Sequence, residues 1–190
     1  MEDDEAEMVL SDGKYKHKIS LKAVNTKNSI GLKWKINFKN NSDSSLYDLA
    51  AFNCWTFNAA PLFKDTKMER SYVNDASGNK KFLKDVEKTQ GGGRRNMQFY
   101  PAAGGIDLSK SPWLSQWLVT SNETLSGDKV SLVSKDSKWL FENIVDGEVA
   151  FFFNNWEHDH GCLHASPIIS RELKPGKSAS AKGIFKFTRL

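Results

Sequence analysis

From Ile30 to Phe38 the chain alternates without a break. Ile30, Leu32, Trp34, Ile36 and Phe38 are apolar, while Gly31, Lys33, Lys35 and Asn37 between them are not. A period of two places every apolar side chain on one face of a strand and the lysines on the other. No helix gives these residues a common face, so the segment commits the chain to a half-buried sheet. The stretch before it repeats the pattern, with Tyr15, His17, Ile19, Leu21 and Ala23 set against Lys16, Lys18, Ser20 and Lys22. A polar turn at Asn25–Ser29 joins the two. The expectation is an antiparallel pair in which odd residues from Tyr15 to Ala23 and even residues from Ile30 to Phe38 face a core. Lys33 and Lys35 then point to water, and His17 sits on the apolar side as a structural histidine.

The rest of the chain reads as more strands. Asn40–Ser45 is a polar turn, and Leu46–Phe57, carrying Phe52, Cys54, Trp55 and Phe57, reads as one buried strand. Beyond Pro61 the pattern loosens. Arg70–Val73 is expected to pair with Lys81–Val86 across a turn at 74–79, and Val130–Val133, Trp139–Ile144 and Val149–Phe153 follow as strands. Leu173–Ser178 is a tight turn into a final alternating strand that ends through Phe185 and Phe187. Roughly nine strands with almost no helix predict an all-β fold, an antiparallel two-sheet β-sandwich of jelly-roll or supersandwich type. Residues 1–13 are acidic and read as a flexible tail, leaving 14–190 as a single sandwich domain. With 190 residues, twelve Phe and six Trp, a core can form without disulfide staples.

Composition narrows the function classes. No apolar run approaches the roughly 20 residues of a membrane-spanning helix, and no membrane partner is expected. The net charge is +4, with the lysines interleaved among apolar residues. That arrangement reads as the solvated faces of strands rather than a nucleic-acid groove. The acidic start is unlike a secretory signal, which suggests a cytoplasmic chain, or a periplasmic or secreted one if the sequence is a mature fragment. Cys54 and Cys162 allow one disulfide at most.

Chemistry concentrates at Asn154–Pro167. Three of the four histidines, His158, His160 and His164, fall within seven residues together with Cys162. Imidazole and thiolate are ligands for zinc, copper and iron, so the stretch is a candidate transition-metal site. On an extended segment His158, His160, Cys162 and His164 share one face, with Glu157 and Asp159 on the other. A straight strand holds the outer histidines roughly 20 Å apart, so a single ion needs a bend, for which Gly161 is the easiest place. Glu157 or Asp159 would serve as proton acceptor if metal-bound water reacts. The alternative is a polar loop whose histidines cap strands or bind sugar hydroxyls. A Cys162–His164 hydrolase lacks the helix amino terminus that activates a thiolate, and a serine hydrolase lacks its G-x-S-x-G elbow.

A second unusual segment is Q-G-G-G-R-R-N-M-Q-F-Y-P at 90–101. Its glycines expose backbone amides, and Arg94 and Arg95 could fork onto a carboxylate, sulfate or phosphate. It matches neither the P-loop nor the dinucleotide fingerprint, so no nucleotide cofactor is expected. Trp113, Trp117, Trp156 and Tyr100 are candidate aromatic platforms for sugar rings. A carbohydrate-binding protein with a metal near 158–164 is the leading reading, and a metal-dependent hydrolytic or oxidative enzyme acting on polysaccharide is the alternative.

The motifs also carry a resemblance. L-K-W-K-I-N-F-K-N-N-S and L-K-P-G-K-S-A-S-A-K-G-I-F-K-F resemble the first strands and last hairpin of bacterial immunoglobulin-like and galactose-mutarotase-like sandwiches. The order A-P-L-F-K-D, G-G-G-R-R-N-M-Q-F-Y-P, G-C-L-H-A-S-P, L-K-P-G-K-S resembles a family of uncharacterised bacterial proteins, some found in carbohydrate-degrading settings. The resemblance spans about residues 15–190 and implies a sandwich in a polysaccharide context, with no reaction to transfer. His158-x-His160 is also similar to the start of a cupin metal motif. Here, however, His164 stands where a cupin has glutamate, and no histidine follows it.

Overall fold

The computed structural model describes residues 5–88, 97–110, 120–157 and 161–190. Thirteen strands are present among the described residues, in two antiparallel sheets. They are β1 (Glu5–Ser11), β2 (Tyr15–Asn25), β3 (Ser29–Asn40), β4 (Leu46–Ala50), β5 (Trp55–Thr56), β6 (Ser71–Asn74) and β7 (Lys80–Phe82). After these come β8 (Met97–Pro101), β9 (Ser126–Val133), β10 (Trp139–Val145), β11 (Val149–Asn155), β12 (Cys162–Leu173) and β13 (Ser178–Arg189). One sheet has eight strands in the order β1-β2-β3-β13-β10-β9-β6-β7. The other has the order β4-β12-β11-β8, with β5 pairing to the end of β12. Short 3-10 turns at Pro61–Phe63, Leu83–Asp85 and Leu108–Lys110 are the helical elements among the described residues.

The register of the β2–β3 pair follows from the alternation. Leu21 lies opposite Trp34, Ile19 opposite Ile36 and His17 opposite Phe38, while Lys33 and Lys35 are exposed. His17 packs edge-on against Phe38 with ring centroids 4.5 Å apart. The β6–β7 hairpin also forms as expected, with Tyr72 opposite Phe82.

Two expectations change. The segment Glu5–Ser11, read as a tail, is strand β1 and pairs along its length with β2. Its acids find partners there: Glu7 meets Lys18 at 2.7 Å, and Glu5 pairs with Lys22. A short edge strand made of exposed residues has no periodic burial to betray it. The expected single strand Leu46–Phe57 is two, β4 and β5, broken at residues 51–54. Phe52 is 40% exposed there, and the buried Asn53 side chain donates to the Asn143 amide oxygen at 3.2 Å.

The main core lies between the sheets. Trp34, Phe141 and Phe185 of the eight-stranded sheet meet Tyr100, Phe152 and Leu163 of the five-stranded one. Each aromatic side chain buried this way contributes roughly 1.5–3 kcal/mol. A second apolar cluster includes Met97, Phe99, Phe151, Phe153 and Cys162, all from alternate positions of β8, β11 and β12. These residues point away from the main core, so β8, β11 and the first half of β12 are buried on both faces, while β4 at the sheet's edge is partly exposed. A sheet buried twice needs apolar residues at every position, which is why β11 reads V-A-F-F-F without alternation. The turn that sends the chain from β3 to β4 is pinned by Asn40, whose amide donates to the carbonyls of Ser44 and Leu173.

Candidate metal centre

β12 carries the site. Successive side chains alternate, so Leu163 and Ala165 enter the main core while Cys162 and His164 share the other face. β5 runs antiparallel beside them, with Thr56 opposite Cys162 and Trp55 opposite Leu163. One further step in that register sets Cys54 against His164. The three donor atoms, Cys54 Sγ, Cys162 Sγ and an imidazole nitrogen of His164, lie within 4.8 Å of one another. Two thiolates at about 2.3 Å from a tetrahedral ion stand roughly 3.8 Å apart, so about 1 Å of side-chain movement gathers the set.

The surroundings are apolar. The His164 ring contacts Phe52 at a centroid distance of 4.3 Å and Phe153 at 5.1 Å. His164 is fully buried, and neither Nδ1 nor Nε2 has a hydrogen-bond partner among the described residues. Burying a polar nitrogen without a partner costs about 1–3 kcal/mol. Cys162 is buried and Cys54 exposed, and neither is part of a disulfide. A hydrogen bond with Cys54, and then burial, push the Cys162 thiol above its ordinary range.

Cys162 and His164 were legible from the histidine-rich stretch, and the structure puts them together. Cys54 was not legible as a ligand, because only the β5–β12 register connects it to them. His158, Asp159 and His160 lie outside the described residues, as do Arg94, Arg95, Trp113 and Trp117. Glu157 is half-buried, its backbone N–H bonded to Asn155 Oδ1, and it is not one of the gathered donors. Two expected sugar platforms are corrected. Tyr100 and Trp156 are 0% and 2% exposed and belong to the core between the sheets. Tyr100 donates its hydroxyl to Asn154 Oδ1 at 2.6 Å, and burial holds that phenol well above its usual range. Trp156 stacks on Phe57. Both sit where a strand pattern directs residues inward, and neither can reach a ligand from there.

No protein-family model matches the chain, and no curated protein matches it. Among solved structures it is similar to the Slr1438 protein from Synechocystis sp. PCC 6803, with a TM-score of 0.42 and 10% identity. That alignment covers 100% of this chain and 64% of the other, so the chain spans less than two thirds of its neighbour's length. A likeness this slight assigns no chemistry, and the reading of the site rests on the residues of this chain.

Proposed function

We propose that this all-β protein binds a transition-metal ion through Cys54, Cys162 and His164, with Zn²⁺ as the ion the site suits best. The observation that carries the reading is His164: a fully buried imidazole with neither nitrogen hydrogen-bonded, set beside two cysteines that form no disulfide. Soft sulfur donors favour zinc or cuprous copper over magnesium, calcium or manganese. Charge then separates the two. Two thiolates cancel the charge of Zn²⁺, whereas Cu⁺ leaves a net negative charge against phenyl rings, which is costly to bury. Three protein ligands leave a fourth position, and the exposed side of the site is the Cys54 side. His158 and His160, a few residues before Cys162, are the sequence's remaining candidates to fill it.

A filled fourth position makes the centre structural, and a water there makes it a potential catalyst for hydrolysis. Of the residues expected to contact sugar, Trp113, Trp117, Arg94 and Arg95 remain, since Tyr100 and Trp156 are in the core. Elemental analysis of protein purified without a histidine tag tests the reading. About one zinc per chain is expected, falling to background in Cys162→Ser and His164→Ala while the far-UV spectrum stays that of a β protein. Protein that takes up no zinc from a buffered excess overturns it, as does an unchanged metal content in both variants.

A further inference from the structure

The eight-stranded sheet turns its other face to solvent, and that face is lined with lysine. β2, β3 and β13 are neighbours, and their registers set lysines directly across from lysines. Lys16 lies opposite Lys39, Lys22 opposite Lys33, and Lys35 opposite Lys182. Like charges facing each other across a ladder destabilise a sheet. Neighbouring acids relieve only part of this: Glu5 pairs with Lys22, and Asp146 meets Lys182 at 2.9 Å. Lys16, Lys33, Lys35 and Lys39 are exposed and have no ion pair among the described residues.

A trough of about 410 Å³ lies on this face, running across the strands from β1 to β10, with Ile144 and Ile184 in its floor beside the lysines. Glu5 and Glu7 stand at one end and Asp146 at the other, with Lys33 and Lys35 at its centre. Along β3 these two lysines are spaced about 6.6–6.8 Å apart, and strands are about 4.8 Å apart. Ser20 lies opposite Lys35 in the trough, and beyond it Asn37 and Ser180 face each other between Lys35 and Lys39.

We propose that a linear polyuronate crosses this trough along β3, with carboxylates over Lys33 and Lys35 and sugar hydroxyls against Ser20 and, farther along the strand, Asn37 and Ser180. Charge complementarity selects an anionic chain, and the chemistry of the face selects which. The outer positions of β2, β3 and β13 carry no aromatic side chain for bases to stack on. The guanidinium fork that favours phosphate is also missing from the outer positions of these strands up to Thr188. A planar anionic membrane would press Glu5, Glu7 and Asp146 against its own charge along with the lysines. A single chain lies between those acids and avoids them. The inference is independent of the metal centre, which belongs to the other sheet.

The test is binding of a fluorescently labelled oligogalacturonate to the full chain at low salt. Saturable binding is expected, weakening steeply as salt shortens the Debye length. Lys33→Gln/Lys35→Gln should bind about tenfold more weakly, because it removes the two central charges. Lys33→Thr/Lys35→Thr is the second variant, so the result does not depend on one substitution folding. The matching uncharged galactan should not bind. Single-stranded RNA or phosphatidylserine vesicles held more tightly than the uronate would overturn the proposal. So would no uronate binding, or uronate binding that neither variant weakens.

Discussion

The two sheets of this protein solve opposite problems. The eight-stranded sheet buries one face and wets the other, so its strands alternate and its outer side is free to carry charge. In the five-stranded sheet β8, β11 and the first half of β12 are buried on both faces, so their residues are mostly apolar. Any polar group on its outer side must find a partner in a dry place. Each region therefore suits a different chemistry: exposed lysines can gather a long anion, and two thiols with an imidazole among phenyl rings can hold a soft ion. The difference teaches where to look in an all-β chain. Both candidate sites sit where a sheet departs from the pattern that its burial demands.

Mutation can break this contrast most strongly at the aromatic residues of β11. Phe152 faces the main core and Phe153 the second cluster. If both faces are cores, Phe152→Ala and Phe153→Ala should each cost about 3–5 kcal/mol in urea unfolding. A Phe153→Ala cost below about 1 kcal/mol would reduce the outer cluster to a surface patch. Gly183 probes the one-sided sheet. A Cβ there would stand 2.1 Å from the Ile144 carbonyl oxygen and 2.3 Å from Trp34 Cζ2. Gly183→Ala should therefore cost about 1–3 kcal/mol, and a neutral melting temperature would mean that Trp34 does not lie over it.

His164→Leu sharpens the contrast through its sign. In chelator the change removes two unpartnered buried nitrogens and should stabilise the fold by about 1 kcal/mol. In saturating zinc the wild-type chain should be the more stable of the two, since the ion binds only its folded state. Paired denaturant titrations read both signs, and a stabilising effect in both conditions would count against the metal centre. At the far end, Lys35→Thr on the wet face should shift stability by no more than about 0.5 kcal/mol.

The smallest effect is one of pH. Lys129 Nζ lies 2.6 Å from the carboxylate of Glu142, and that hydrogen bond holds the ammonium above its ordinary range. A raised folded-state value means the pair's contribution is complete below the unfolded lysine range and fades as pH climbs through the folded one. Lys129→Met should therefore flatten the alkaline limb of the stability profile and leave the neutral region nearly unchanged. An identical alkaline limb in the variant would show that the pair contributes nothing.

How much was legible differs between the regions for the same reason. The β2–β3 pair could be read residue by residue, because one wet face writes a period of two into the chain. β1 could not, because all seven of its residues are exposed and leave no burial pattern. The break at residues 51–54 was hidden for the opposite reason: Phe52 and Cys54 look like core residues in a run that is mostly apolar. Tyr100 and Trp156 were mistaken for ligand platforms, because an aromatic residue has the same name whether it faces a sugar or a core.

By itself the sequence determined that this is an all-β protein, which strands pair early in the chain, and that Cys162 and His164 share a face. Those features are local, set by alternation along a single strand. Only the tertiary structure decided that Cys54 joins them, since β5 and β12 are distant in sequence and meet through hydrogen bonds between strands. It likewise decided that lysines from β2, β3 and β13 form one surface, because strand order is a property of the sheet. A single chain's pattern states which way a side chain points, and only the pairing of strands states what it points beside.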